Sequence, residues 1–215
     1  MTRTGKFCAP RISSAWRRPS PASAKTLFAS ATLALALTTP APAWAAGAEP
    51  WITTWAATPA PRWADELPAP FNVPEVLGDQ TVRQIARVSV GGDQLRVVLS
   101  NEFGVRPVTI GSASVALSAG GGAIDPATVK ALTFGGRASA TIPPGAPLVS
   151  DPVDLATKPL ASLAVSFYLP KRTGITSVHW DGAQTGYVSG PGDKTMDADF
   201  KPDSTNKSRL LLSRT

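Results

Sequence analysis

Residues 81–117, TVRQIARVSVGGDQLRVVLSNEFGVRPVTIGSASVAL, decide the fold of this chain. Two runs rich in β-branched residues flank Gly91-Gly92-Asp93, and a third follows Asn101-Glu102-Phe103-Gly104. Glycine reaches positive φ at little steric cost, so the Gly-Gly-Asp step is expected to close the first two runs as a hairpin. In the second run Leu95, Val97 and Leu99 alternate with Gln94, Arg96 and Val98, the two-residue period of a strand with one buried face. The stretch reads as the meander at the centre of a β-protein, and as scaffold.

The flanking sequence continues the pattern. Trp51, Thr53 and Trp55 fall on one face of an amino-terminal strand, with Ile52, Thr54 and Ala56 on the other. Pro59, Pro61, Pro68, Pro70 and Pro74 then make 58–74 an extended surface loop carrying Trp63, because proline cannot donate to a ladder. Residues 107–117 read as one strand, Gly120-Gly121-Gly122 as a flexible connection, and 129–134 with 137–142 as a second hairpin around Gly135-Gly136. In 160–169, Leu163, Val165, Phe167 and Leu169 alternate with Ser162, Ala164, Ser166 and Tyr168. Residues 175–188 are a less regular strand or strand pair, broken at Asp181-Gly182. The polar tail 191–208 reads as a solvated loop, and 208–213 as the start of one more strand. Without an amphipathic helix, and with turn signals between many short strands, the expected class is all-β: a two-sheet sandwich, jelly-roll-like, following a cleaved signal peptide.

Residues 1–48 read as that signal peptide and a short leader, and residues 49–215 as the β-sandwich domain. Arg3, Lys6, Arg11, Arg17, Arg18 and Lys25 form a basic stretch, 27–39 is apolar but short for a membrane span, and Ala43-Trp44-Ala45 fits a cleavage site. The whole chain holds 21 Lys and Arg against 15 Asp and Glu; six of the basic residues and no acid lie in 1–45, leaving 15 against 15. A neutral mature domain gives no case for nucleic acid, or for a membrane once the signal is cut. The single cysteine, Cys8, also lies in the leader, so disulfides, cysteine-held metal and thiol catalysis are not expected of the mature form. The expected location is secreted and extracellular.

The ordered motifs carry a resemblance. Thr81-Val82-Arg83-Gln84, Val88-Ser89-Val90-Gly91-Gly92, and Arg96-Val97-Val98-Leu99-Ser100-Asn101-Glu102-Phe103-Gly104 form its centre. Trp51-Ile52-Thr53-Thr54-Trp55-Ala56-Ala57 precedes them, and Leu132-Thr133-Phe134-Gly135-Gly136 with Ile142-Pro143-Pro144-Gly145-Ala146-Pro147 follows. Val149-Ser150-Asp151-Pro152-Val153, Gln184-Thr185-Gly186-Tyr187 and Ser208-Arg209 complete the series. Together, over about 51–212, they resemble the amino-terminal region of secreted GDSL-type (SGNH) ester hydrolases, esterases and lipases. The resemblance implies an accessory domain whose catalytic SGNH domain, the expected partner, is missing from this chain, and a sandwich cut short at its carboxyl-terminal end.

Such hydrolases act through a serine in a Gly-Asp-Ser block, activated by a histidine and faced by oxyanion donors. Gly78-Asp79-Gln80 and Gly192-Asp193-Lys194 lack the serine, and no Asp-x-x-His pair follows. Ser204-Thr205-Asn206-Lys207 matches the S-x-x-K spacing but sits in the polar tail. His179 is the only histidine and reads as a structural or interface residue beside Trp180. One histidine among scattered aspartates is no metal ligand set. The expectation is therefore no catalytic residue, no metal and no cofactor. Trp51, Trp55, Trp63, His179, Trp180 and Tyr187 are the candidates for binding or interdomain contact. The alternative function is a free-standing module whose aromatic rings stack on a glycan or wall polymer.

Overall fold

The 81–117 stretch does not fold back on itself as its period suggests. In the computed structural model, which describes residues 51–62, 74–179, 184–206 and 209–215, Gln80–Arg87 pairs with Ser162–Leu169 on one side and Gly186–Pro191 on the other. Gly92–Leu95 instead leaves that sheet and pairs with Val153–Thr157. Neither Gly91 nor Gly92 adopts positive φ, which the two-residue hairpin turn requires. Gly91 serves a different need: a Cβ there would lie 2.3 Å from the Thr157 carbonyl oxygen. It lets the neighbouring turn approach the backbone.

The main sheet runs, from one edge inward, Pro202–Asn206, Gly186–Pro191, Gln80–Arg87, Ser162–Leu169, Ser112–Gly120 and Ala123–Ile124, with Lys130–Ala131 also on Ser112–Gly120. The alternation in 160–169 holds. Leu163, Val165, Phe167 and Leu169 enter the principal core, while Ala164 joins a smaller cluster on the other face. A buried side chain of this size contributes roughly 1.5–3 kcal/mol, so these four residues anchor the sheet.

A second, curled layer covers the core. Pro147–Val149, Val98–Ser100 and Leu212–Arg214 form one short sheet, and Ala60–Pro61, Ser177–His179 and Arg209–Leu210 form another. The last segment passes from one to the other at Leu211, whose φ of 62° turns the strand. Smaller pairs extend the layer, among them Ala140–Ile142 with Val108–Ile110. Val82, Val165 and Phe167 from the main sheet meet Val97, Leu99, Ile110, Ile142 and Leu210 in one buried cluster. The described residues form an all-β sandwich without helix. No helix among them is long and apolar enough to cross a membrane.

Several local expectations change. Residues 107–117 are two strands, Val108–Ile110 and Ser112–Gly120, in different sheets. They part at Gly111, where a Cβ would meet the Tyr168 ring at 2.8 Å. Gly135 and Gly136 do form the expected turn, with φ of 61° and 76° and a Phe134–Arg137 bridge. The strands beyond it diverge, Lys130–Ala131 to the main sheet and Ala140–Ile142 to the second layer. Ala60–Pro61, expected in a loop, is an edge strand on Ser177–His179, a position proline tolerates. The final segment is not an edge: Leu212 pairs with Leu99, while on its other side Thr54 and Ala57 donate to the Thr215 and Ser213 carbonyls. The 1–48 leader, most of the proline loop with Trp63, and the Trp180–Asp181–Gly182 break lie outside the described residues.

Candidate functional site

The chemistry-bearing residues of the quoted motifs are used to hold the sandwich together. Arg83 is fully buried on the outer face of the main sheet. Its Nε donates to Ser166 Oγ at 2.8 Å, one terminal nitrogen donates to the Gly122 carbonyl at 2.8 Å, and the other to the Asp197 carbonyl at 2.8 Å. That second nitrogen also reaches the Lys194 and Thr195 carbonyls, at 3.3 and 3.4 Å. The guanidinium lies 4.5 Å from the centroid of the Phe200 ring. Burial lowers its pKa to about 10 against the opposing pull of Asp197, so it remains charged at neutral pH. Thr81, Ser112 and Ser114 bind the same loop, through Gly192, Lys194, Asp193 and Thr195. The polar tail is thus not a free loop over its whole length: its 192–200 part is a lid sewn onto the sheet by its own carbonyls.

Asn101 is the second clasp. It is buried, and its Nδ2 donates toward the carbonyls of Arg106, Ile142 and Pro143. A Cβ on Gly104 would stand 1.8 Å from Asn101 Oδ1, which accounts for the Asn-x-x-Gly spacing. Asp151 is the third. It accepts from the Gly135 and Gly136 amides at 3.0 and 2.7 Å and from Thr133 Oγ1 at 2.7 Å. These bonds, that from Gly136 foremost, hold its carboxyl below the usual range. Asp193, in the Gly-Asp-Lys block, is exposed by surface area, yet the protein around it desolvates the carboxylate and opposes ionisation. Hydrogen bonds from Ser112 and from the Thr195 amide and hydroxyl outweigh this and lower its pKa. Asp79, in Gly-Asp-Gln, accepts from the Tyr168 hydroxyl at 2.6 Å, and this bond raises the tyrosine pKa.

The aromatic candidates do not share a platform. Trp51 is half-exposed, and Arg96 stacks on its ring at 4.4 Å. Trp55 is partly buried against the principal core, whereas Tyr187 packs on the cluster at the opposite face of the main sheet. His179 is half-buried, with Nδ1 2.9 Å from the Thr58 carbonyl, an arrangement in which Nδ1 donates. Among the described residues no serine hydroxyl is hydrogen-bonded to its ring. Trp63 and Trp180 lie outside the described residues.

One end of the sandwich carries exposed apolar side chains beyond those the sequence singles out. Ile52, Val90 and Leu160 are exposed, as is Trp51. Thr54 Oγ1 donates to the Val90 carbonyl, Arg87 Nε to the Leu160 carbonyl, and the Val88 amide to the Ala161 carbonyl, which brings the three segments to one end. Leu160 has a φ of 64°, a conformation a branched side chain rarely takes. The available signal was Val90 next to Gly91-Gly92: an apolar residue at a turn, where polar ones prevail.

Among the described residues no group of three or more His, Cys, Asp and Glu could hold a metal ion. No protein-family model matches the chain, and no curated protein matches it.

Proposed function

We propose that residues 49–215 serve as the accessory sandwich domain of a secreted SGNH-type ester hydrolase, without performing ester hydrolysis themselves. The observation that carries this reading is the use made of the shared motifs. Arg83, Asn101, Gly104, Asp151 and Gly91 act on loop carbonyls, turn amides and close backbone approaches. A pattern made of such residues marks a common scaffold, not a common reaction. The exposed end bearing Trp51, Ile52, Val90 and Leu160 supplies apolar area of the kind that docks a neighbouring domain.

Sedimentation of the purified protein with an SGNH catalytic domain stripped of its own sandwich tests the reading. Co-sedimentation weakened by Trp51→Ser with Ile52→Ser is the expected outcome. No association, or association indifferent to both substitutions, counts against it. The glycan-binding reading rests on the half-exposed Trp51 ring, since Trp55 and Tyr187 are turned to other duties. Retention on an insoluble wall polysaccharide, lost in Trp51→Ala, would favour that reading instead.

A further inference from the structure

We propose that Gln84 forms one wall of an internal water site in the core of the sandwich, on the row it shares with Val165 and Gly186. Gln84 is the neighbour of Arg83 on the same strand and therefore points to the opposite face. Val82 and Ala86, which share its face, belong to the principal core between the two layers. Gln84 itself is fully buried there. The two adjacent polar residues have opposite fates. Arg83 donates to the Ser166 hydroxyl and to four carbonyls. Neither Oε1 nor Nε2 of Gln84 has a hydrogen-bond partner among the described residues.

The register shows where a guest would sit. Gln84 lies directly opposite Val165 on one side and Gly186 on the other, and Gly186 lies opposite Asn206. On this face the row therefore reads apolar, amide, no side chain, amide. Asn206 is also buried, and its Oδ1 would stand 3.1 Å from a Cβ placed on Gly186, so its carboxamide leans over the glycine. The bare glycine makes room for that carboxamide, which takes up the space a Cβ would fill.

The chemistry of the wall selects the guest. A carboxamide presents two donors and one acceptor group, so a partner for both ends must itself accept and donate. A cation would satisfy the oxygen and oppose the NH2, and an apolar guest would satisfy neither. Full enclosure limits the guest to something that enters through ordinary breathing of the fold. Water meets each condition, and buried waters typically bridge such otherwise unpaired groups.

Deuteron relaxation dispersion on the purified protein counts long-lived internal waters, and Gln84→Met keeps the side-chain length while removing the amide. We expect the variant to lose one long-lived water and the unaltered protein to show water cross-relaxation to the Gln84 side-chain amide protons. An unchanged count in a folded Gln84→Met protein would overturn the proposal. A crystal structure of the unaltered protein decides the matter if the variant fails to fold. Density for a water about 3 Å from both amide atoms supports the site. A Gln84 amide that is dry, or paired with a protein group, refutes it.

Discussion

Arg83 illustrates how a charged side chain becomes a structural pin. Five donors in a fixed planar fork match a ring of carbonyls, and a lysine, with its compact ammonium, cannot reproduce that fork. Arg83→Lys should therefore behave as a loss. Hydrogen bonds from a charged donor are worth about 1.5–3 kcal/mol each, so losing one or two costs about 3 kcal/mol. For a domain of this size each kcal/mol moves Tm by about 2–4 °C, so a drop of roughly 6–12 °C is expected by differential scanning fluorimetry. An unchanged Tm would show that the clasp is ornamental. The two lowered carboxyls make a second prediction. Asp151 and Asp193 have folded-state pKa values below their unfolded ones, so their contribution is complete above the unfolded carboxyl pKa and fades as pH falls through the folded one. Tm should fall as pH is taken from about 5 toward 3. Asp193→Asn should lower Tm at pH 7 and flatten that acid-side slope. The sequence flagged Arg83 and Asp193 only as letters in motifs. What they bind is mostly backbone, which no side-chain pattern displays.

At the scale of elements, alternation identified faces better than partners. Leu95, Val97 and Leu99 are buried as their period implies, and so are Leu163, Val165, Phe167 and Leu169. The glycine steps are less legible. Gly135-Gly136 makes a turn, whereas Gly91-Gly92 lets two backbones approach, and the same two letters serve both needs. The 192–200 lid was hidden for another reason: its polar side chains suggest solvent while its carbonyls are bound from beneath. The final strand also differs from an exposed remnant, because it is paired on both sides and buries Leu210 and Leu211. Removal of residues 209–215 should strip both the Val98–Ser100 strand and the Thr54–Ala57 segment of a neighbour. Two newly bare edges invite association between chains. Size-exclusion chromatography of the shortened protein should show aggregates or loss of soluble material; a monomer eluting like the parent would contradict this pairing scheme. A finer test at the same scale is Gly91→Ala, whose Cβ would be forced to 2.3 Å from a backbone oxygen, and which should lower Tm without altering the far-ultraviolet β signal.

For the molecule as a whole, the described residues form an all-β sandwich whose motifs are spent on its assembly. The fold class was legible because period-two runs and turn residues recur along the chain. The site was not, because Trp51, Trp55, His179 and Tyr187 are dispersed over different faces that only the strand order reveals. His179 is the one histidine, and its Nδ1 is committed to the Thr58 carbonyl. A hydrolytic serine would need that ring's other nitrogen within hydrogen-bonding reach and fixed donors for the oxyanion. Hydrolysis of p-nitrophenyl acetate by the purified protein, beside its His179→Ala variant, tests whether any serine here is activated. Both should release nitrophenol at the same rate, no faster than an inert protein at equal concentration. Turnover well above that background, abolished by His179→Ala, would contradict this expectation.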